Sequence, residues 1–260
     1  MGSLSKPRVV AIIPARMASS RFPGKPLLEI RGLPMVEHVR RRALLCGEFS
    51  DVVVATCDHE IAAVVESYGG RVMMTSKAHQ AASDRVAEAM QHLDCTHVVN
   101  VQGDEILVLP SDLARMVRAI HAEPMGSAWN ALGRIENPRE LKDSSIVKCV
   151  ISRSGRILFC GRDFSMLPLK DAGFEPVRII LGILAYSCSF LGRYSSLERT
   201  PLEIAESIDQ SRILEHDIVL WGVEFSRGYP GINESREVEL VESYLSEDPQ
   251  QQEVLTRVLC

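Results

Sequence analysis

Several common signatures are missing from this 260-residue chain, and each absence removes a class of function. The apolar run Val9–Ile13 is not followed by Gly-x-Gly-x-x-Gly, which excludes the glycine fingerprint of a dinucleotide-binding turn. Gly24-Lys25 is followed by Pro26 where a Walker P-loop requires Ser or Thr. The seven cysteines, at 46, 57, 95, 149, 160, 188 and 260, form no Cys-x-x-Cys pair and are odd in number, so neither a disulfide framework nor a zinc site is expected. No apolar stretch approaches the ~20 residues that span a bilayer, and Met1-Gly2-Ser3-Leu4-Ser5-Lys6 lacks the apolar segment of a signal peptide. With a net charge of −5 there is no excess of Lys and Arg to displace counterions along a polyanion. These absences lead us to expect no nucleic-acid or membrane partner, and a reducing, cytoplasmic compartment.

What is present is concentrated first in one stretch. Residues 12–26 read Ile-Ile-Pro-Ala-Arg-Met-Ala-Ser-Ser-Arg-Phe-Pro-Gly-Lys-Pro. An apolar strand delivers the backbone into a loop carrying Arg16, Arg21, Lys25, Ser19, Ser20 and Gly24. Three cations offset the charge of a phosphate chain, and backbone N–H groups behind a buried strand form an anion nest. The plainer reading is a solvated basic loop. Its position after the first buried strand of an α/β pattern, where such folds bind nucleotides, favours the phosphate reading.

The rest of the chain supplies that pattern. Helical spacing over Pro34–Leu45 precedes a β-branched strand, Asp51–Thr56. The basic run Arg40–Arg42 is read as the wet face of that helix. Asp58 is placed to cap a helix over Glu60–Tyr68, stopped by Gly69-Gly70 before a strand at Arg71–Thr75. A helix through Asp84–Met90 leads to a strand, His97–Gln102, and Ser111 caps a helix over Asp112–His121. This alternation predicts an α/β fold whose mostly parallel sheet carries helices on both faces.

Beyond it the character changes. Ser127–Gly133, Ile146–Ile151 and Gly155–Cys160 read as short strands joined by a turn at Ser152–Gly155, before a loop at Asp163–Pro176. A strand over Ile179–Phe190, helical segments around Tyr194 and over Leu202–Glu215, a strand over Ile218–Phe225 and a last helix over Glu234–Leu245 complete the chain. No biased linker divides it and no fixed period recurs. The expected organisation is one domain over residues 1–260, with a strand-rich cap or dimerisation portion at about 125–200.

A second concentration of chemistry follows the fourth strand, in Val101-Gln102-Gly103-Asp104-Glu105. A carboxylate at the carboxyl end of a strand, beside a phosphate loop, is placed to hold Mg²⁺ between protein and phosphate oxygens. Taken alone, Asp104 would be an ordinary turn residue; the basic loop is what argues otherwise.

Together these motifs resemble the CMP-Kdo synthetases, the 3-deoxy-manno-octulosonate cytidylyltransferases. The similarity runs from Ile13-Pro14-Ala15-Arg16 and Ser20–Pro26 through Met74-Thr75, His79-Gln80 and Asn100–Glu105. It continues in Ile146-Val147-Lys148, Arg162, Gly182-Ile183, Ala185-Tyr186, Thr200–Glu203, Glu206 and Gln210–Arg212. The resemblance implies transfer of CMP from CTP to a Kdo-like acidic acceptor with release of pyrophosphate, in a nucleotide-diphospho-sugar-transferase-like fold that usually forms homodimers. It makes Arg16, Lys25, Gln102 and Asp104 catalytic. It makes Ala15, Arg16, Ser20, Arg21, Gly24, Lys25, His79, Ser83, Arg85 and Gln102 CTP-binding, and Arg162, Gln210, Glu206 and Tyr186 acceptor-binding. Mg²⁺ is the implied cofactor, with Asp104 and Asn233 as ligands.

Three departures qualify it. The family's Val-Asp-Thr-Pro-Glu-Asp, whose first aspartate binds metal, is Ile232-Asn233-Glu234-Ser235-Arg236-Glu237 here, so either Asn233 serves as a poorer ligand or Glu234 takes over. A family histidine two residues before Gly182 is Ile180, and Ser-Gly-Thr-Glu-Arg is Ala81-Ala82-Ser83-Asp84-Arg85. These leave two alternatives beside the Kdo-like acceptor: a smaller acidic acceptor such as a phosphonate, or a catalytically weakened CTP-binding regulatory protein.

Overall fold

The computed structural model describes residues 6–18, 22–79, 81–165, 167 and 176–260. The elements run as β1 (Val9–Ala15), β2 (Glu29–Ile30), β3 (Leu33–Pro34), α1 (Met35–Leu45), β4 (Asp51–Thr56), α2 (His59–Ser67), β5 (Arg71–Met74), α3 (Ala82–Met90), β6 (His97–Val101) and α4 (Pro110–Ala122). They continue as β7 (Ala128–Arg134), β8 (Lys148–Ile151), β9 (Ile157–Gly161), β10 (Val177–Ser187), α5 (Cys188–Tyr194), α6 (Pro201–Glu206), α7 (Asp209–Glu215), β11 (Leu220–Glu224), α8 (Val238–Glu247) and α9 (Pro249–Leu259). The chain divides into two compact units, Met1–Ala122 with Tyr229–Cys260, and Glu123–Gly228. No helix among the described residues is long and apolar enough to cross a membrane.

In the first unit β1 pairs in parallel with both β4 and β6, and β4 with β5. The spatial order is therefore β6-β1-β4-β5. Right-handed crossovers then place α1 and α2 on one face and α3 on the other, because the chain reverses direction across the sheet between β5 and β6. That reversal leaves β1 and β6 adjacent at a topological switch point, where open α/β sheets bind ligands. The two strands part early. Their pairing ends at Ile12 and Asn100, whereas β1 stays paired with β4 as far as Ala15. Pro14, which has no N–H to give a central strand, thus lies beyond the end of the β6 ladder.

The apolar face of α1 packs into this unit, and so do its charges, contrary to the expectation of a wet Arg40–Arg42. Arg40 and Arg42 are buried, as is Glu37. Arg40 donates two hydrogen bonds of 2.7 Å to the Glu37 carboxylate, and Arg42 reaches the Val108 carbonyl at 3.1 Å. Arg41 donates to the Val258 carbonyl at 2.7 Å, in the last turn of α9. Helical spacing says which residues share a face, and here later parts of the chain covered more of α1 than its apolar stripe. Helix α9 was not anticipated, although Asp248-Pro249 is a start signal: Asp248 accepts from the N–H groups of Gln250 and Gln251.

In the second unit β7 pairs with β10 in antiparallel fashion and with β11 in parallel, while β10–β8 and β8–β9 are antiparallel. The strand expected through Phe190 stops at Ser187, whose hydroxyl accepts the Phe190 N–H and starts α5. The helix expected over Leu202–Glu215 is two helices. Ser207 adopts the left-handed conformation at φ 54° and ends α6. Ser111 lies inside α4 rather than capping it.

Candidate active site

The switch point opens into a cleft of about 210 Å³ lined by Pro14, Ala15, Arg16, Lys25, His79, Ala81, Arg85, Gln102, Gly103 and Asp104, among others. All belong to the first unit. One wall is the loop after β1. Gly24 sits at φ 75°, a backbone conformation that side-chain-bearing residues resist, and its N–H returns to the Met17 carbonyl at 3.1 Å. A short 3₁₀ turn, Lys25–Leu27, follows. The Met17 N–H is itself held at 2.8 Å by the Asp58 carboxylate. Asp58 precedes α2 as expected, but its carboxylate makes no cap to that helix and instead pins this loop. Ser20, Arg21 and Gln80 lie outside the described residues.

The loop's lysine meets the acidic turn. Lys25 Nζ donates to Asp104 Oδ2 at 3.0 Å and to the Ile232 carbonyl at 2.7 Å, with both side chains largely withdrawn from solvent. Backbone contact reinforces the junction: the Ile232 N–H donates to the Asp104 carbonyl at 3.2 Å. Gly231 makes the approach possible, since a Cβ there would stand 2.9 Å from the Asp104 carbonyl oxygen. Gly231 and Ile232 are thereby laid against Asp104.

Asn233 and Glu234, the two candidates for a second metal ligand, follow directly. The Glu234 carboxylate pairs with Arg236 at 3.0 Å, and the Asn233 and Glu234 N–H groups both donate to Glu237. Among the described residues no group of three or more His, Cys, Asp or Glu side chains is assembled for a metal. A single carboxylate, Asp104, suits Mg²⁺ that arrives on a nucleotide, because that ion commonly takes one or two carboxylates plus substrate phosphates.

The opposite wall comes from the β5–α3 connection. Arg85 is buried, donating from Nη1 to the Thr75 hydroxyl and from Nη2 to the Cys57 sulfur at 3.4 Å. These partners are neutral, so neither consumes the guanidinium charge on the cleft. Ser83 is buried on α3, and His79 pairs with Glu88.

The expected acceptor residues lie in the second unit. Arg162 donates to the carbonyls of Glu206 at 2.8 Å, Ser144 at 2.8 Å and Ser207 at 3.4 Å, so it closes the end of α6 and holds Glu206 beside it. Gln210 Nε2 donates to Asn130 Oδ1 at 2.9 Å. Tyr186 is only 2% exposed, with ring centroids 6.2 Å from Phe190 and 6.0 Å from Tyr194. Burial pushes its hydroxyl pKa well up, and its role in this structure is packing.

Two buried polar residues had no role assigned from the sequence, although Lys148 belongs to a motif of the resemblance. Asn130 is fully buried and donates to the Leu181 carbonyl at 3.0 Å, where the β7–β10 register shifts. Lys148 is buried too, donating to the carbonyls of Asp143 and Arg162; burial lowers its pKa. A polar residue inside an apolar strand was the available signal for both.

Comparison with known proteins places this geometry in context. A family model described as cytidylyltransferase matches residues 10–220. A 3-deoxy-manno-octulosonate cytidylyltransferase of Geobacter metallireducens is 37% identical over 251 residues, covering 92% of this chain and 98% of that protein. A mitochondrial 3-deoxy-manno-octulosonate cytidylyltransferase of Arabidopsis thaliana is 34% identical, covering 92% and 84%. A solved CMP:2-keto-3-deoxy-manno-octonic acid synthetase complexed with CTP superposes with a TM-score of 0.87 at 32% identity, covering 93% of this chain and 99% of that one.

Proposed function

Since the chain belongs to the cytidylyltransferase family, we propose that it transfers CMP from CTP to an acidic acceptor, a sugar acid of the 3-deoxy-manno-octulosonate type, and releases pyrophosphate. An acceptor hydroxyl oxygen bonds to the α-phosphorus, the bond from that phosphorus to the β-phosphate oxygen breaks, and the hydroxyl proton is lost. The observation that carries this reading is the meeting of Lys25 and Asp104 in a cleft at the switch point of a parallel sheet.

Such a transfer demands in-line positioning and charge neutralisation more than covalent participation by the protein. In this proposal Arg16, Lys25 and Arg21 neutralise the triphosphate, and Ala15, Ser20 and Gly24 present the loop backbone to it. His79, Ser83 and Arg85 lie near the cytosine and ribose, and Gln102 sits by the α-phosphorus. Asp104, with Asn233 as a weaker partner, would hold Mg²⁺, which when bound withdraws charge from the phosphate oxygens. Arg162, Glu206 and Gln210 bind the acceptor acid. Action in the cytoplasm and assembly as a homodimer complete the proposal; light scattering of the purified protein checks the latter.

The test is pyrophosphate release from CTP and Mg²⁺ with a panel of acceptors that includes Kdo, other sugar acids and small phosphonates. Turnover with Kdo supports the reading. Turnover with a phosphonate alone redirects the acceptor, and CTP binding without turnover across the panel leaves a nucleotide-binding protein.

A further inference from the structure

Downstream of Asp104 the chain makes two turns in succession. The Glu105 N–H donates to the Gln102 carbonyl at 3.1 Å, and the Val108 N–H to the Glu105 carbonyl at 3.1 Å. Ile106, Leu107, Val108 and Leu109 are all buried, yet this stretch lies between β6 and α4 and joins neither. The carbonyls of Leu107 and Val108 therefore find no ladder or helix partner, and buried carbonyls must be paired. Two fully buried side chains from distant elements meet them. Gln251 Nε2, on α9, donates to the Leu107 carbonyl at 2.8 Å, and Arg42 Nη1, on α1, to the Val108 carbonyl at 3.1 Å.

Stability alone does not account for this pair. Arg42 Nε and Nη2 and Gln251 Oε1 are buried with no hydrogen-bond partner among the described residues. Burying unpaired polar groups and an unpaired charge is costly, and apolar residues of similar volume would fill the core at least as well. Burial depresses the Arg42 pKa to about 10, opposed by the nearby Tyr229, so at neutral pH it is still a charged donor, the stronger kind. What the two bonds supply is direction. They pin adjacent carbonyls three and four residues beyond Asp104, whose own carbonyl takes the Ile232 N–H at 3.2 Å and whose carboxylate takes Lys25. We propose that Arg42 and Gln251 are positioning residues for the transfer, holding the double turn so that the Asp104 carboxylate keeps its place in the cleft. This rests on the reading above, in which Asp104 serves the reaction. A displacement of about 1 Å caused by a remote substitution can lower a rate by about 10²-fold.

Gln251→Met removes the uncharged donor at similar volume, and Arg42→Met removes the charged one. In each, kcat for pyrophosphate release should fall about tenfold or more while KM for CTP stays within about twofold. In the nucleotide-free variants the Ile232 amide should exchange hydrogen faster than in wild type. Val258→Ala, on α9 in the same core, should lower the melting temperature but leave kcat and Ile232 exchange near wild type. A wild-type kcat or unchanged Ile232 exchange in either folded variant overturns the inference, as does an equal loss of kcat in Val258→Ala. If Arg42→Met does not fold, Gln251→Met decides alone. A wild-type protein that releases no pyrophosphate from CTP with any acceptor would sink the parent reading, while Ile232 exchange still reports whether the pair holds the turn.

Discussion

Lys25 and Asp104, 79 positions apart in sequence, form a 3.0 Å ion pair that also captures the Ile232 carbonyl. One ammonium thus joins the loop after β1, the turn after β6 and the segment that returns from the second unit. Cation and carboxylate are both shielded from solvent, so each depends on the other for its charge balance.

Replacing Lys25 tests that junction. Lys25→Met should lower kcat about 10²-fold or more, because a charge aimed at the transferring phosphates is removed. The circular dichroism spectrum should be retained, and hydrogen exchange at residues 231–233 should quicken. Wild-type pyrophosphate release in this variant would contradict the assignment.

In the proposed metal site, Asn233→Asp should supply a second carboxylate. The Mg²⁺ concentration giving half-maximal activity is then expected to fall severalfold, since an anionic oxygen binds the hard cation better than a carboxamide. Glu234→Gln should leave it unaltered, because that carboxylate serves Arg236. Equal effects of the two changes would exclude Asn233 from the metal site.

Glu37 sits fully buried between Arg40 and Arg41. Removing it in Glu37→Ala strands a buried guanidinium, which costs about 3 kcal/mol or more. For a chain of this size that corresponds to a melting temperature lower by about 10 °C, measurable by calorimetry.

His38 provides a pH signature. Burial, opposed by its hydrogen bond to the Ile30 carbonyl and helped by the nearby Arg42 and Arg41 charges, depresses its pKa from 6.5 to about 4. The unfolded chain binds a proton in that window and the folded chain does not. The stability contribution is therefore complete above about pH 6.5 and is lost as pH falls toward about 4. In His38→Gln, denaturant midpoints between pH 6.5 and 5 should vary less steeply than in wild type.

Much of the nucleotide half was legible from the chain alone because its signals are local. A β-branched run ending in a glycine-bearing basic loop, and Gly103-Asp104 after another such run, each declare themselves within a few residues. The parallel alternation of strands and helices is equally local, which is why β1, β4, β5 and β6 fell close to their expected positions. Less was legible in the second unit. The break at Ser207 depends on one left-handed residue. The early end of β10 depends on a serine cap, and Arg162 finds the Glu206 carbonyl, 44 positions away at the end of α6.

The sequence by itself determined the composition of the site: which cations, which carboxylate, and which loop behind which strand. Only the tertiary structure decided their partners. It turned Asp58 from a helix cap to an anchor for Met17, buried Arg40 and Arg42 where helical spacing left them wet, and brought Ile232 across 207 positions to Lys25. The reason is physical. A side chain's charge and periodicity are properties of its neighbourhood in sequence, but which oxygen satisfies it is settled by desolvation, when distant segments pack and every buried donor must find an acceptor.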